Sequence, residues 1–233
     1  DGHAGYGLPI GGVLATEGAV IPYGVGVDIG CRMALTIYDM PENYIARHAT
    51  NLQNLLRKET KFGVKEVHER PSDHEIFSRE EFNTINILKS LKDRAYAQLG
   101  SSGGGNHFVE FGDVEITVDD SSFGVPRGKY LGILTHSGSR GIGANVAKHY
   151  TKLAMEKCVL PQEAKYLAWL DLSTQEGQEY WLAMNLCGDY ASACHHDIHK
   201  RLAHAIGEKP LAIIENHHNF AWKEVHDGRE LIV

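Results

Sequence analysis

The chain has no run of about 18 apolar residues, the length a membrane-spanning helix needs. It opens without a basic-then-apolar leader, and its four cysteines (Cys31, Cys158, Cys187 and Cys194) contain no Cys-X-X-Cys pair. That pattern excludes a disulfide framework and points to a reduced, cytoplasmic setting. Basic side chains are also scarce, 23 against 30 acidic ones for a formal net charge of -7. Such a balance excludes a non-specific coat on nucleic acid, yet it leaves room for an enzyme with a local basic cleft. With 233 residues, 42% hydrophobic and 23% charged, the chain is long enough for a full core and is not of disordered composition. Two residue types stand out by abundance. The 25 glycines suggest backbone held close to ligands, and the 14 histidines suggest metal or proton chemistry.

Residues 1–36 are rich in glycine and carry only four charged side chains, Asp1, Glu17, Asp28 and Arg32. The apolar runs Gly11–Ala15 and Met33–Ile37 read there as short buried strands between tight turns. From Pro41 to Leu99 the texture becomes charged and helical, with Phe82, Ile85, Leu88, Leu91, Ala95 and Leu99 forming one apolar stripe. Strands are expected at Phe108–Phe111, Val114–Val118, Tyr130–Thr135 and Leu211–Ile214, and again at Glu230–Val233. Helices are expected at 143–158 and 177–206. Strands and helices mix without strict alternation, so the expected class is α+β in a single domain.

Four segments could carry chemistry. In Asp28-Ile29-Gly30-Cys31 a carboxylate and a thiol flank a glycine turn; a thiolate can bridge two metals and Asp is a hard oxygen ligand. Alone the pattern is weak, because a buried free cysteine commonly serves as a small apolar residue. Gly103-Gly104-Gly105-Asn106-His107-Phe108-Val109-Glu110 offers amide, imidazole and carboxylate beside a pliant backbone, or simply a turn after a helix. His136-Ser137-Gly138-Ser139-Arg140-Gly141 joins a strand to a helix, where small residues and an Arg suit an anion. The plain alternative is a capped helix start with Ser139 as cap and Arg140 solvated. Glu215-Asn216-His217-His218-Asn219 ends an apolar strand with polar groups that are costly to bury unpaired.

A competing cluster lies on the long helix. His195 and His199 in Cys194-His195-His196-Asp197-Ile198-His199 share a helical face, a workable metal geometry. The segment lacks the glutamate of the zinc-peptidase pattern, and its His-Asp dipeptide is only weakly similar to HD-type phosphohydrolases. On so charged a helix, exposed histidines are the expected reading.

Taken in order along the chain, the segments resemble the RtcB family of RNA ligases. The opening Asp1-Gly2-His3-Ala4-Gly5-Tyr6-Gly7-Leu8-Pro9-Ile10-Gly11-Gly12 and Gly24-Val25-Gly26-Val27-Asp28-Ile29-Gly30-Cys31 belong to the same pattern. The resemblance implies an α+β fold, with mixed short strands and helices around a metal-lined central cleft. It implies a GTP- and Mn²⁺-dependent ligase that joins RNA 3′-phosphate or 2′,3′-cyclic phosphate ends to 5′-hydroxyl ends, in tRNA splicing or RNA repair. By residue, it implies that Cys31 bridges two manganese ions. Asp28 and His107 complete one ion's ligands, and His136 and His218 the other's. Asn106, Glu110 and Asn219 contact the guanine nucleotide, and Arg140 sits near phosphate of RNA or nucleotide. A site of this softness also suits Zn²⁺, which follows Mn²⁺ in the affinity order and binds more tightly. The implied partners are RNA with those ends and GTP; no membrane is expected, and no activating protein is identified.

The sequence departs from the family in two places. The family's nucleophilic histidine lies in a His-Gly-Ala-Gly-Arg-like segment that does not occur here. The guanylylated histidine is therefore expected beyond Val233, residues 1–233 are expected to be one catalytic domain truncated at both ends, and this chain alone is expected not to guanylylate itself. The long helix also carries Cys194-His195-His196 where many relatives have Asn-Arg. Two alternatives stay open: a two-metal phosphohydrolase without nucleotide, and a catalytically incomplete metal- or nucleotide-binding fragment.

Overall fold

The computed structural model describes residues 5, 7–9, 11–119 and 122–233, so Asp1 to Ala4, Tyr6 and Ile10 of the opening glycine motif lie outside the described residues. The centre is a four-stranded antiparallel sheet whose spatial order runs from residues 108–116 through 128–137 and 32–38 to 212–217. Its strands are β2 (Arg32–Tyr38), β3 (Phe108–Ile116), β4 (Gly128–Ser137) and β6 (Ala212–His217). Two further pairs flank it: β1 (Ala19–Val20) with β5 (Leu170–Asp171), and β7 (Lys223–His226) with β8 (Arg229–Ile232). The helices are α1 (Pro22–Val25), α2 (Tyr44–Glu59), α3 (Glu81–Thr84), α4 (Asn86–Gln98), α5 (Arg140–Lys157) and α6 (Gln175–Ile206). No helix among the described residues is long and apolar enough to cross a membrane.

Side chains alternate across a sheet, so each face has its own cluster. Tyr38, Val109, Leu131 and Ile133 face α6 and pack with its Ile198 and Leu202. Ile37 on the other face packs with Ile116 and Val125. The largest cluster is helical and joins α4, α5 and α6 through Leu88, Ala95, Val146, Tyr150, Tyr180 and Cys187. Removing a branched side chain from such a cluster, as in Ile198→Ala, costs about 2–5 kcal/mol.

The 32-residue α6 is the spine of the fold. Thr174 caps it by accepting from the Gly177 amide at 3.2 Å, and Gly207 ends it with φ 78. Small residues on its inner face bring the neighbouring backbone close. A Cβ on Gly30 would meet the Gly188 Cα at 2.8 Å, and Gly30 itself has φ 68, so the Asp28–Cys31 turn seats directly on α6.

Several expectations need correction. Gly11–Ala15 is neither strand nor buried; Val13 is 80% exposed and the run contributes nothing to the core. Apolar character alone did not distinguish a surface loop from a buried strand. The strands expected at 108–111 and 114–118 are one strand, β3, because Gly112 pairs with Gly132 without interrupting the ladder. The apolar stripe from Phe82 to Leu99 is buried as read except at Leu91, which is partly buried, but the backbone breaks at Ile85 (φ -96, ψ 115), which divides α3 from α4. α5 begins at Arg140, three residues ahead of its expected start. Most consequential, His195 and His199 are not exposed: their exposures are 0% and 3%. That side of α6 packs on the sheet, where hydroxyls satisfy the rings.

Candidate metal centre

In an antiparallel sheet alternate strands begin and end at the same edge. Cys31 immediately precedes β2, His107 precedes β3, His136 is the penultimate residue of β4, and His218 follows β6. The pairing Phe108 with His136, Met33 with His136, and Arg32 with both Ser137 and His217 puts all four at one end. Backbone bonds continue the register beyond the strands: the His218 amide donates to the Cys31 carbonyl at 2.8 Å, and the Gly30 amide to the Asn219 carbonyl at 3.0 Å.

Two groups of ligand-type atoms result, and they share one atom. Asp28, Cys31 and His107 form the first; Cys31, His136 and His218 form the second. The Cys31 Sγ lies 3.1 Å from His136 Nε2 and 3.8 Å from His107 Nε2, and His107 Nε2 lies 2.7 Å from Asp28 Oδ2. The His136 and His218 rings are 5.5 Å apart between centroids. Cys31 and His136 are buried, while His218 is exposed at the mouth.

The other ring nitrogens decide what this cluster can do. His107 Nδ1 donates to the Ser102 carbonyl at 2.8 Å, and His136 Nδ1 donates to the Asn106 carbonyl at 3.1 Å. A carbonyl only accepts, so each neutral ring carries its proton on Nδ1 and turns a bare Nε2 inward. Two imidazole lone pairs, a carboxylate and a sulfur then face one another at close range. With the Cys31 thiol ionised these are acceptors facing acceptors, an arrangement that a cation between them satisfies, and the backbone carbonyls are the outer partners that fix a metal-binding tautomer. The donor set therefore fits a divalent metal.

Charge in the cluster follows the same geometry. Burial raises the Asp28 pKa, but without a metal a proton between His107 Nε2 and Asp28 Oδ2 supplies a hydrogen bond and positive charge that, with Cys31 and Arg140, outweigh it and hold the carboxylate below its usual range; a bound cation would take that proton's place. Burial pushes the Cys31 thiol far up, and the neighbouring Asp28 pushes it further. Burial lowers the His218 pKa and His136 adds to that, which keeps His218 a neutral donor.

The remaining predicted residues fall in two places. Asn106, Glu110 and Asn219 are exposed around the mouth, and Asn219 adopts a left-handed φ of 54 beside Gly26. Arg140 is neither solvated nor at the mouth. It is 8% exposed and lies behind the glycine loop, where Nε donates to Ser101 Oγ at 3.3 Å and Nη2 to the Gly63 carbonyl at 3.5 Å. A Cβ on Gly103 would fall 1.7 Å from its guanidinium, so only glycine fits there. Ser139 makes no side-chain cap for α5. Gly138, read in the sequence only as one of the small residues of its segment, is required in a different way: a Cβ would lie 2.2 Å from Asp28 Oδ1. The carbonyls of Ser102 and Asn106 were also missed, since backbone acceptors leave no residue-type signal. Arg32 beside Cys31 is buried and donates to Glu215 at 3.2 Å and to the Gly188 carbonyl at 3.0 Å, tying the turn to α6 and β6.

Comparison with known proteins identifies the family. The family profile described as "tRNA-splicing ligase RtcB" matches residues 1–86 and 48–233. The chain belongs to the RtcB family. It is 30% identical over 230 residues to an RNA-splicing ligase RtcB homolog 1 of Entamoeba dispar, with 83% of this chain and 43% of that protein covered. Identity is also 30% over 231 residues to a tRNA-splicing ligase RtcB of Thermococcus kodakarensis, covering 83% of this chain and 48% of that protein. The RNA-splicing ligase RtcB of Escherichia coli K12 is 30% identical over 261 residues, covering all of this chain and 61% of that protein. This RtcB-family chain thus spans about half the length of the relatives it matches. Its α+β fold carries the Cys/His/Asp cluster at the sheet end.

Proposed function

We propose that the sheet-end cluster is the two-metal centre of an RNA ligase and that residues 1–233 form one catalytic domain. The observation that carries the reading is the shared thiol: two three-ligand groups overlap at Cys31, and every inward-facing donor is an acceptor of positive charge. Asp28, Cys31 and His107 would hold one Mn²⁺ and Cys31, His136 and His218 the other; bound ions neutralise phosphate oxygens and align the reacting groups. Cys31 gives up its thiol proton on binding, so metal uptake releases protons. His107 and His136 need no reorientation, because Ser102 and Asn106 already hold their rings. Zn²⁺ suits the same donors and competes with Mn²⁺.

Asn106, Glu110 and Asn219 at the mouth supply the amide and carboxylate groups that would read a guanine, making GTP the nucleotide of this site. Arg140 acts from behind the loop, holding the Gly63 carbonyl and the Ser101 hydroxyl and lending positive charge toward Asp28. For the whole protein the reading is GTP-dependent joining of a 3′-phosphate or 2′,3′-cyclic phosphate RNA end to a 5′-hydroxyl end. A cytoplasmic setting belongs to it, since the free thiol of Cys31 has to stay reduced.

The test is equilibrium binding of labelled GTP with and without Mn²⁺, beside an assay for phosphate release from RNA with a 3′-phosphate. Mn²⁺-dependent GTP binding, lost in Cys31→Ala and weakened in Asn106→Ala, is the expected result. Phosphate release that needs metal but ignores GTP would overturn the ligase reading in favour of a phosphohydrolase.

A further inference from the structure

The buried histidines of α6 are unused by the centre described above, yet they lead to it. His195 Nε2 lies 3.1 Å from the Ser137 carbonyl. His195 Nδ1 lies 2.5 Å from Thr135 Oγ1, and the same oxygen lies 2.8 Å from His199 Nε2. His199 Nδ1 then lies 2.5 Å from Thr36 Oγ1. The four side chains are almost wholly withdrawn from water, with exposures of 0% for Thr135 and His195, 2% for Thr36 and 3% for His199.

The order of the hydrogens follows from one fixed end. The Ser137 carbonyl can only accept, so His195 carries its proton on Nε2 and has a bare Nδ1. Thr135 therefore donates its hydroxyl hydrogen to His195 Nδ1; the contact from Thr135 to the Ala34 carbonyl is longer, at 3.4 Å. With that hydrogen committed, Thr135 Oγ1 accepts from His199 Nε2, which leaves His199 Nδ1 to accept from Thr36. Both rings are neutral in this arrangement, and burial depresses their pKa values to about 4 and about 3.

We propose that Thr36, His199, Thr135 and His195 form a one-way hydrogen-bond relay whose task is to position the ligands of the metal centre. It reaches them by two routes. Thr135 and Ser137 flank His136 in β4, so clamping both to α6 fixes the strand end that presents the His136 ring. Ser137 Oγ also donates to the Ser102 carbonyl at 2.7 Å, the same carbonyl that holds His107 Nδ1. The relay ends on an amide carbonyl, which has no proton to pass on, so it orients groups and does not conduct protons. His195 and Thr135 are positioning residues: neither touches metal, nucleotide or RNA.

This inference rests on the reading of Cys31, His107 and His136 as metal ligands, and its test separates the two. Long-range proton–nitrogen correlation on protein with ¹⁵N-labelled histidine, at neutral pH, reads the tautomers directly. Both His195 and His199 are expected as neutral Nε2–H forms; an Nδ1–H form or an imidazolium at either position overturns the relay. Mn²⁺ titration then compares wild type, Thr135→Val, Thr135→Ser and Cys31→Ala. Thr135→Val is expected to lose about 10–100-fold in Mn²⁺ affinity, the usual effect of removing an outer partner, and Thr135→Ser to recover most of it. Wild-type affinity in folded Thr135→Val, with binding lost in Cys31→Ala, sinks the relay alone. Full affinity in Cys31→Ala sinks the metal reading beneath it. Should Thr135→Val not fold, His195→Leu replaces it in the titration, and the tautomers of the native protein still decide the direction of the chain.

Discussion

His107 and His136 at the sheet end, and His195 and His199 on α6, are four histidines around one strand, yet they serve opposite ends. The rings at the sheet end each spend one nitrogen on a carbonyl and turn the other toward a thiol or carboxylate that cannot donate in its ligand form. The helix rings have both nitrogens answered, by hydroxyls in His199 and by a hydroxyl and a carbonyl in His195. What its second nitrogen faces thus separates a candidate metal ligand from a strut. Burial does not separate the pairs, since His136, His195 and His199 are all buried.

The largest effect that sharpens this contrast is expected from Cys31→Ala. Removing the shared sulfur should abolish both high-affinity sites in a metal titration while the helix histidines keep their tautomers; retention of one full-affinity site would break the idea of a shared ligand. Next comes Gly138→Ala, whose Cβ displaces the Asp28 carboxylate. The expected outcome is a fall from two bound Mn²⁺ to one, because the Cys31, His136 and His218 group does not use Asp28; two ions bound as in wild type would contradict it.

The helix pair is expected to show itself in acid rather than in metal binding. Both rings have folded pKa values below the ordinary 6.5, about 4 for His195 and about 3 for His199. Between those values and 6.5 the unfolded chain binds more protons than the folded one, so stability is present above that window and is lost as pH falls through it. The slope is up to about 1.4 kcal/mol per pH unit for each histidine. Urea unfolding across the window measures it, and His199→Leu should flatten the slope; an unchanged slope in that variant would show the ring is not held neutral. The smallest effect is expected from exposed His196, which lies 3.6 Å from Glu215. His196→Ala should stay within about 0.5 kcal/mol of wild type and leave metal binding alone.

Much of the candidate site was legible in the sequence because its proposed ligands stand at strand ends beside glycine turns. The runs before His136 and His218 read as apolar strands, and Asp28-Ile29-Gly30-Cys31 read as a turn; the structure has both, and brings the five residues together. What the sequence concealed was direction and depth. Nothing in Cys194-His195-His196-Asp197-Ile198-His199 marks the face of α6 that the sheet covers, because the residues answering those rings, Thr36 and Thr135, lie far away along the chain. Nor does any residue type reveal that the glycine loop lies across Arg140 and buries it, which the solvated reading of that side chain missed. Gly11–Ala15 failed for a simpler reason: short apolar runs also occur on surfaces.

The most direct test of the central claim is electron paramagnetic resonance of the reduced protein loaded with Mn²⁺ under anaerobic conditions. A thiolate bridge predicts two ions in exchange contact, giving a coupled signal that Cys31→Ala abolishes. Two uncoupled Mn²⁺ signals, or a coupled signal that survives Cys31→Ala, would contradict a centre built around Cys31.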